Sequence, residues 1–418
     1  MSLSTFVDRD RLLGRFLEYV QIDTSANANS DQYPSSPGQI TLGKLLLKQL
    51  RELGLVDAEQ DENGLVWATI PANVQGHCPT VLFNAHMDTS PEAPSADVRP
   101  RVIGHYPGGD IQLEYNGAKI TVEHCPGLST LYGKTLIVTD GRTLLGGDDK
   151  AGIATIMELA SCLVSYPEIP HGPVRILFTC DEEIGHGTQK IQLEKIAADV
   201  GYTLDGGGIG DIDEETFSAN GAIVRFTGKN IHPSIARHRM VNAVRGAGLF
   251  LSLLPNDHLS PESTDDRDGF LHPYDLHGGV AEATLHLILR DFKTSVLNDH
   301  RQLLIKIASE VESRISGLSI SVETRRQYRN LADGLRKLPS AVLLAEKAYG
   351  KVGIASRRSI IRGGTDGAML TEMGLPTPNL SVGQYNIHSN LEFACLDDMV
   401  SATHVLIELV QLWEKQRA

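Results

Sequence analysis

Two adjacent aspartates and a lysine lie in a glycine-rich loop, Gly146-Gly147-Asp148-Asp149-Lys150-Ala151-Gly152. An apolar run, Leu136 to Val138, precedes this loop, and an apolar pattern of helical period follows it. Because a helix N-terminus favours negative charge, the aspartates taken alone are most simply an acidic cap. A phosphate loop is excluded, since Gly147-Asp148 stands where Lys-Ser/Thr must follow. Chemistry at this loop therefore depends on the groups that the fold brings beside it.

Acid and imidazole side chains recur after short apolar runs elsewhere in the chain. Together with the loop aspartate they are His86, Asp88, Asp148, Glu182, Glu183, Asp205 and His388. In an open α/β sheet, ligands bind at the carboxyl ends of the strands, so this shared placement predicts one site. The alternative is a set of unrelated acidic loop ends, which the repetition disfavours.

Three carboxylates and two imidazoles, with one glutamate left over, match the needs of two first-row metal ions about 3.5–4 Å apart. In a His-x-Asp pair, the aspartate can hold the second nitrogen of a metal-bound imidazole. Oxygen and imidazole ligands without thiolates favour Zn²⁺, for which Mn²⁺ or Co²⁺ can substitute. The leftover glutamate can act as general base on a metal-bound water. The sequence therefore predicts a two-metal hydrolase.

Strand and helix patterns alternate along residues 1–216 and 330–418, as in an α/β domain. Residues 217–329 show instead three alternating strand patterns and two helical ones, which are typical of a small α+β domain. Within this insert, the polar, proline-containing residues 255–280 are predicted to be the longest loop. The simplest architecture is a discontinuous α/β domain interrupted by an inserted lid.

Composition excludes several classes of function. The net charge of −14 argues against nucleic acid, and no apolar run reaches the 18 residues that a membrane span needs. The five cysteines are scattered without C-x-x-C spacing, which predicts reduced thiols in a cytoplasmic protein. The first residues lack a basic, apolar, cleavable leader, so we expect no export.

On these motifs the chain resembles the two-zinc metallo-exopeptidase clan of carboxypeptidases, dipeptidases and amino-acid deacylases. The motifs of the clan are His86-x-Asp88, Gly147 to Gly152, Asp181 to Gly185, Asp205-Gly206-Gly207 and His388. A closer similarity, to the peptidase T family of tripeptide aminopeptidases, is carried by Gly108 to Ile111, Thr139 to Gly146, Ile361 to Gly367, Met373 to Pro376 and Tyr385-Asn386. Gln384 and Ser389 to Leu391 depart from the pattern and leave the pocket shape open.

The resemblance implies a zinc-exopeptidase-like α/β catalytic domain with a mixed central sheet, interrupted by an α+β lid and dimerisation domain. It also implies two zinc ions per subunit, each with three ligands: His86, Asp148 and Asp205 for one, and Asp148, Glu183 and His388 for the other. Asp148 would bridge the ions and join Asp149 through a cis peptide. Glu182 would be the general base, and Asp88 would orient His86.

The resemblance also implies contacts to the substrate. His232 would polarise the scissile carbonyl, often from the partner subunit of a homodimer formed by residues 217–329; by residue type alone it would be a surface residue. Arg290 and Arg362 would grip the substrate carboxylate, although a structural ion pair is an equal alternative for Arg290. Asn386 is a weaker candidate, as an acceptor for the substrate ammonium.

Three functions are compatible with these residues. The first is removal of the N-terminal residue from tripeptides, with small peptides as the partners. The second keeps the metals but makes the enzyme a dipeptidase or an amino-acid deacylase. The third, a non-catalytic binding protein, would need a lost ligand or base, whereas every matching position is intact.

Overall fold

The computed structural model describes residues 6–416, which fall into two compact units. The first is built from the described parts of Met1–Glu214, Gly334–Ser359 and Thr365–Ala418, and the second from Glu215–Asp333 and Ile360–Gly364. No helix within residues 6–416 is long and apolar enough to cross a membrane.

The helices of the described residues are α1 (Arg9–Val20), α2 (Pro37–Glu52), α3 (Gly147–Ser165), α4 (Leu193–Ile196), α5 (Ala243–Leu253), α6 (Val296–Arg314), α7 (Ala332–Leu335), α8 (Ser340–Val352), α9 (Asp366–Met373) and α10 (Leu396–Glu414). Short 3₁₀ helices cover Pro126–Leu131, Glu182–Ile184 and Pro233–Ile235.

The strands are β1 (Glu59–Gln60), β2 (Val66–Ile70), β3 (Val81–His86), β4 (Arg101–Ile103), β5 (Ile111–Gln112), β6 (Lys119–Ile120), β7 (Leu136–Val138), β8 (Val174–Thr179), β9 (Val200–Gly207), β10 (Asp211–Thr216), β11 (Ser218–Thr227), β12 (Phe270–Gly278), β13 (Glu282–Asp291), β14 (Ser319–Tyr328), β15 (Arg357–Ile361), β16 (Asn379–Tyr385) and β17 (Phe393–Cys395).

The large sheet has the strand order β1-β2-β8-β3-β9-β16-β17-β7-β4, with β10 beside β16 and β15 beside β10. It is mixed, because β3 runs parallel to β8 and β9, and β16 parallel to β9. The antiparallel pairs are β1–β2, β2–β8, β10–β16, β16–β17, β7–β17 and β4–β7. This confirms the predicted α/β class with a mixed sheet. Every residue of β3 is buried, as expected for a central strand with both faces covered.

Helix α3 is the central helix of the first unit. Its residues are buried without a break from Gly147 to Leu163, because it packs on β3 and against both α1 and α10. The loop before α3 therefore enters the protein interior, and the carboxylates at the start of the helix are held away from bulk water.

The second unit contains a four-stranded antiparallel sheet in the order β12-β13-β11-β14. Alternate residues of β11 and β13, among them Val224, Phe226, Leu285 and Leu287, are buried in one core with apolar residues of α5 and α6. One face of this sheet is thus covered by two helices.

The prediction of a loop over residues 255–280 is wrong in its second half, where Phe270–Gly278 forms β12. This is an edge strand in which only Leu271 is fully buried, and its register is interrupted between Pro273 and Asp275. The strand therefore lacks the apolar alternation by which β11 and β13 could be recognised.

Candidate metal centre

The predicted metal ligands lie at one edge of the large sheet. His86 is the last residue of β3, Asp205 lies near the end of β9, and Glu183 belongs to the 3₁₀ helix after β8. The register pairs His86 with Thr179, so parallel strands β3 and β8 end side by side. Asp148 comes from the first turn of α3, and His388 from the loop after β16. The parallel strands β3, β8, β9 and β16 thus bring four of these residues to the carboxyl end of the sheet, and α3 adds Asp148.

Asp148 lies between the two imidazoles. Its Oδ1 is 2.9 Å from Nε2 of His86, and its Oδ2 is 3.3 Å from Nε2 of His388. Nε2 of His86 is also 3.8 Å from Oδ1 of Asp205, and Nε2 of His388 is 2.9 Å from Oε2 of Glu183. The five side chains therefore form two groups of three that share one carboxylate.

These residues fit divalent metal ions. Oε1 of Glu183 is buried, and within residues 6–416 it has no hydrogen-bond partner. A buried carboxylate oxygen without a donor is costly unless a cation satisfies it. Ligand atoms of His86, Asp148 and Glu183 all lie within 4.8 Å of one another. Imidazole nitrogens with carboxylate oxygens are a donor set for first-row divalent metals.

Asp149 also lies within 4.8 Å of His86 and Asp205, yet its carboxylate is engaged elsewhere. Its Oδ2 accepts the backbone N–H of His86 at 3.2 Å, and its Oδ1 accepts that of Gly152 at 3.2 Å. The Asp148–Asp149 peptide is cis. Asp148 therefore faces the imidazoles, whereas Asp149 fastens the loop to β3.

Asp88 contacts His86 mainly through its backbone carbonyl, whereas the sequence predicted a contact through the carboxylate. The acceptor nearest to Nδ1 of His86 is the backbone carbonyl of Asp88, at 2.9 Å, while the Asp88 carboxylate is 3.5 Å away. That carboxylate accepts the backbone N–H groups of Glu182 and Glu183, each at 3.0 Å. Asp88 thus orients the imidazole through its backbone and positions the two glutamates through its side chain.

The loop after β16 has its own supports. Nδ1 of His388 lies 3.1 Å from Oε2 of Glu92. Nδ2 of Asn386 donates to the Leu391 carbonyl at 3.3 Å, within the loop that carries His388. Gln384, where the sequence departs from the family pattern, donates its Nε2 to Oδ1 of Asp205 at 3.1 Å. The departure thus supplies a hydrogen bond to a predicted ligand.

Glu392 is a residue that the sequence did not single out. It is buried, and its carboxylate accepts the backbone N–H groups of Leu145, Gly146 and Asp148 at 2.7, 2.8 and 3.0 Å. Burial raises the pKa of Glu392 to about 7. Three backbone donors on one carboxylate fix the path of the loop into α3. The only signal in the sequence is a single acid inside an apolar run.

The pKa values of the clustered groups follow from the close pairs that these groups form. Hydrogen bonds to Asp148 and Glu183 raise the pKa of His388 to about 11. Burial lowers the pKa of His86, but hydrogen bonds to carboxylates, that of Asp148 first, outweigh it and leave the pKa raised. Burial and the Asp148 charge raise the pKa of Asp205 to about 7. Since metals bind deprotonated ligands, metal binding here would release protons.

Glu182 is the glutamate left over from the ligand set. It is half-buried at the start of the 3₁₀ helix, directly before Glu183. Its surroundings desolvate the carboxylate and raise the pKa of Glu182 well above the usual value, with Asp205 and Asp366 adding to the shift against the opposing effect of His86. A raised pKa brings a carboxylate closer to the range in which it exchanges protons with substrate.

His232 and Arg290 belong to the second unit and are described within it. His232 is exposed, and its Nδ1 lies 2.7 Å from the Ser234 hydroxyl. Arg290 donates to Oε1 of Gln327 at 2.9 Å, and its guanidinium carbon lies 5.4 Å from the centre of the Tyr328 ring. Burial lowers the pKa of Arg290. Arg290 therefore has partners in its own sheet.

Arg362 also belongs to the second unit. Its Nη1 donates to the carbonyls of Asp266 and Asp268 at 2.9 and 3.0 Å, and its Nη2 to the Thr264 hydroxyl at 3.1 Å. The guanidinium carbon lies 5.3 Å from the centre of the Phe217 ring. Arg362 therefore holds the loop before β12, and its present acceptors are all neutral.

The sequence of the chain is similar to those of known proteins. A family model described as peptidase family M20/M25/M40 matches residues 139–412. Over 409 residues the chain is 41% identical to a peptidase T of Geobacillus sp. (strain WCH70), across 98% of this chain and 100% of that protein.

Solved structures that share the fold include two peptidases. One is a tripeptidase from Staphylococcus aureus subsp. aureus mu50, with a TM-score of 0.77, 23% identity, and coverage of 98% of this chain and 100% of the other. The second is a dinuclear metal-binding peptidase of the M20 family from Bacillus subtilis, with a TM-score of 0.65, 15% identity and 98% coverage of each chain. At these identities the structures show a common fold alone.

Proposed function

The chain belongs to peptidase family M20/M25/M40, and from this premise we propose that it is a metal-dependent aminopeptidase that removes the N-terminal residue from tripeptides. The observation that carries the proposal is the position of Asp148, whose two carboxylate oxygens face His86 and His388. The peptidase T relative of Geobacillus, 41% identical along nearly the whole chain, supports the substrate class.

We further propose zinc as the metal, two ions per subunit. One would be held by His86, Asp148 and Asp205, and the other by Asp148, Glu183 and His388. When bound, such a metal pair polarises the scissile carbonyl and lowers the pKa of water. Manganese or cobalt would take the same ligands, because the set consists of imidazoles and carboxylates without thiolates.

The chain's own residues supply the proton transfers. Glu182 would take a proton from the attacking water while the water oxygen bonds to the scissile carbonyl carbon. Glu182 would then give that proton to the departing amine nitrogen as the C–N bond breaks. The backbone N–H of Glu182 is fixed by the Asp88 carboxylate, which also fixes Glu183. The proposed base and a predicted ligand are thus both positioned by the carboxylate of Asp88.

In this proposal, side chains that bind the two charged ends of the peptide select its length. Arg362 would receive the terminal carboxylate, with Arg290 as a second candidate, and Asn386 would contribute to the ammonium side. The carbonyls and hydroxyl that Arg362 now contacts are neutral, so an ionised carboxylate would be a stronger acceptor. His232 is the residue proposed to polarise the carbonyl.

A homodimer formed through the second unit and a cytoplasmic location complete the proposal. The exposed edge of a four-stranded sheet is a common place for a second copy to pair. All five cysteines are buried and unpaired, as expected in a reducing compartment.

A substrate panel tests the proposed function. Free tripeptides should be cleaved much faster than dipeptides, tetrapeptides or N-acetylated tripeptides, since a lost charge partner typically costs about 2–5 kcal/mol. Activity should disappear with a chelator and return with zinc. Faster turnover of N-acetyl amino acids or of dipeptides would replace the proposal with the deacylase or dipeptidase alternative.

A further inference from the structure

A second group of metal-ligating side chains lies on the sheet of the second unit. Asp275 and His277 belong to edge strand β12, and His286 belongs to the neighbouring strand β13. The register places Asp275 opposite His286, and His277 follows two residues after Asp275. Because side chains alternate along a strand, all three project from one face. Leu285 and Leu287, the two neighbours of His286 along β13, are buried in the core with α5 and α6, on the opposite face of the sheet.

A bulge in β12 makes this arrangement possible. The register shifts between Pro273 and Asp275, so that Tyr274 is an additional residue in the edge strand. A shift of one residue exchanges the two faces of a strand, and without the bulge Asp275 would point away from His286. The ring of Tyr274 stacks on that of His286, with centroids 6.1 Å apart. The bulge and the stacking both set the position of the cluster.

Both imidazoles are turned toward one oxygen atom. Oδ2 of Asp275 is 2.9 Å from Nδ1 of His286 and 3.2 Å from Nδ1 of His277. The three donor atoms lie within 4.8 Å of one another. Two imidazoles and a carboxylate are three protein ligands of a tetrahedral site with a fourth position for water.

We propose that Asp275, His277 and His286 form a surface site for a first-row divalent ion that prefers imidazole, of which Zn²⁺ and Ni²⁺ are examples. The bound ion would join edge strand β12 to β13 across the bulge. The proposal does not depend on the peptidase function, since none of the three residues belongs to the candidate metal centre. The competing interpretation is a hydrogen-bonded triad that stabilises the hairpin without metal.

Equilibrium dialysis against Zn²⁺ separates the two interpretations. The intact protein is first loaded with zinc and freed of excess metal, and dialysis then follows at mildly basic pH. We expect wild type to bind one more equivalent than either His277→Gln or His286→Gln. Loss of a supporting residue around a metal already costs about 10- to 100-fold in affinity, so loss of a ligand should cost at least about tenfold.

The matched control is His258→Gln. His258 lies 2.5 Å from a carboxylate oxygen of Asp257 in the same unit, but this exposed pair is not part of a three-ligand group within the described residues. This variant should keep the additional equivalent. Zinc should also increase the protection of the β12–β13 hairpin against amide hydrogen exchange in wild type and not in the two cluster variants. Equal zinc binding and equal protection in wild type and both cluster variants would overturn the proposal.

Discussion

The buried carboxylate of Glu392 accepts the backbone N–H of Asp148 at 3.0 Å. The main chain of the proposed bridging ligand is therefore held by a second carboxylate. The same carboxylate accepts the N–H groups of Leu145 and Gly146. The start of α3 is therefore positioned by a residue outside the predicted ligand set.

Glu392→Gln should weaken metal binding without removing a ligand. Glutamine has one acceptor oxygen where the carboxylate has two, and its NH₂ group would face a backbone donor. Leaving a buried donor unsatisfied costs about 1–3 kcal/mol, and loss of such a support typically weakens metal affinity by about 10- to 100-fold. Competition with a chelator measures the affinity, and thermal unfolding measures the stability. Unchanged values of both would show that Glu392 does not position the loop.

Asp148→Ala should weaken both metal ions together. The carboxylate that faces both His86 and His388 would be lost, and with it the charge that lets two cations lie close to each other. Metal content per chain, measured after dialysis, should fall at both sites. Two tightly held equivalents in this variant would exclude Asp148 as the bridge.

Several parts of this site were predictable from local pattern. Each predicted ligand follows a short apolar run, and the parallel strands β3 and β8 end side by side. Glu392 and the edge strand β12 were not predictable in this way. The role of Glu392 depends on backbone donors 244 to 247 positions away, and β12 is exposed on most of its residues. The carboxylate of Asp88 likewise serves a turn that only the folded chain brings near it.

Asp213→Asn should stabilise the protein above about pH 6 and leave it unchanged below about pH 4. Burial raises the pKa of Asp213 to about 6, so the folded state resists its ionisation. Stability contributed by this group is therefore lost as pH rises from the unfolded value toward 6. The pKa shift corresponds to a loss of about 3 kcal/mol of folding stability at most. The asparagine variant would not lose this stability, and its side-chain oxygen would still accept the hydrogen bond from Asn379.

The control for that measurement is Asp211→Asn on the same strand. Asp211 is paired with Arg357 at 2.7 Å on the surface, where ion pairs contribute about 0–1 kcal/mol. Denaturant unfolding of both variants between pH 4 and 8 compares them. An identical pH dependence for Asp213→Asn and wild type would mean that the Asp213 carboxyl is not held protonated by the fold.

Arg362→Ala should reduce the preference for a free carboxylate and loosen the loop before β12. Tripeptides and their C-terminal amides would then be cleaved at similar kcat/KM, with metal content unchanged. Because Arg362 also donates to the carbonyls of Asp266 and Asp268, amide hydrogen exchange in that loop should increase. Faster exchange with an intact tripeptide preference would restrict Arg362 to a structural role.

The adjacent glutamates provide the most direct test of the account, because one is proposed as base and the other as ligand. In Glu182→Gln, kcat for a tripeptide should fall by about 10²- to 10⁴-fold while both metal equivalents and KM are retained. In Glu183→Gln, the metal content of one site should fall, since Oε2 of Glu183 lies 2.9 Å from His388. Parallel measurement of kcat and bound metal in the two variants decides the assignment. Full metal content with a low kcat in Glu182→Gln supports Glu182 as the base and Glu183 as the ligand. Lost metal in Glu182→Gln with full metal content in Glu183→Gln would contradict this assignment.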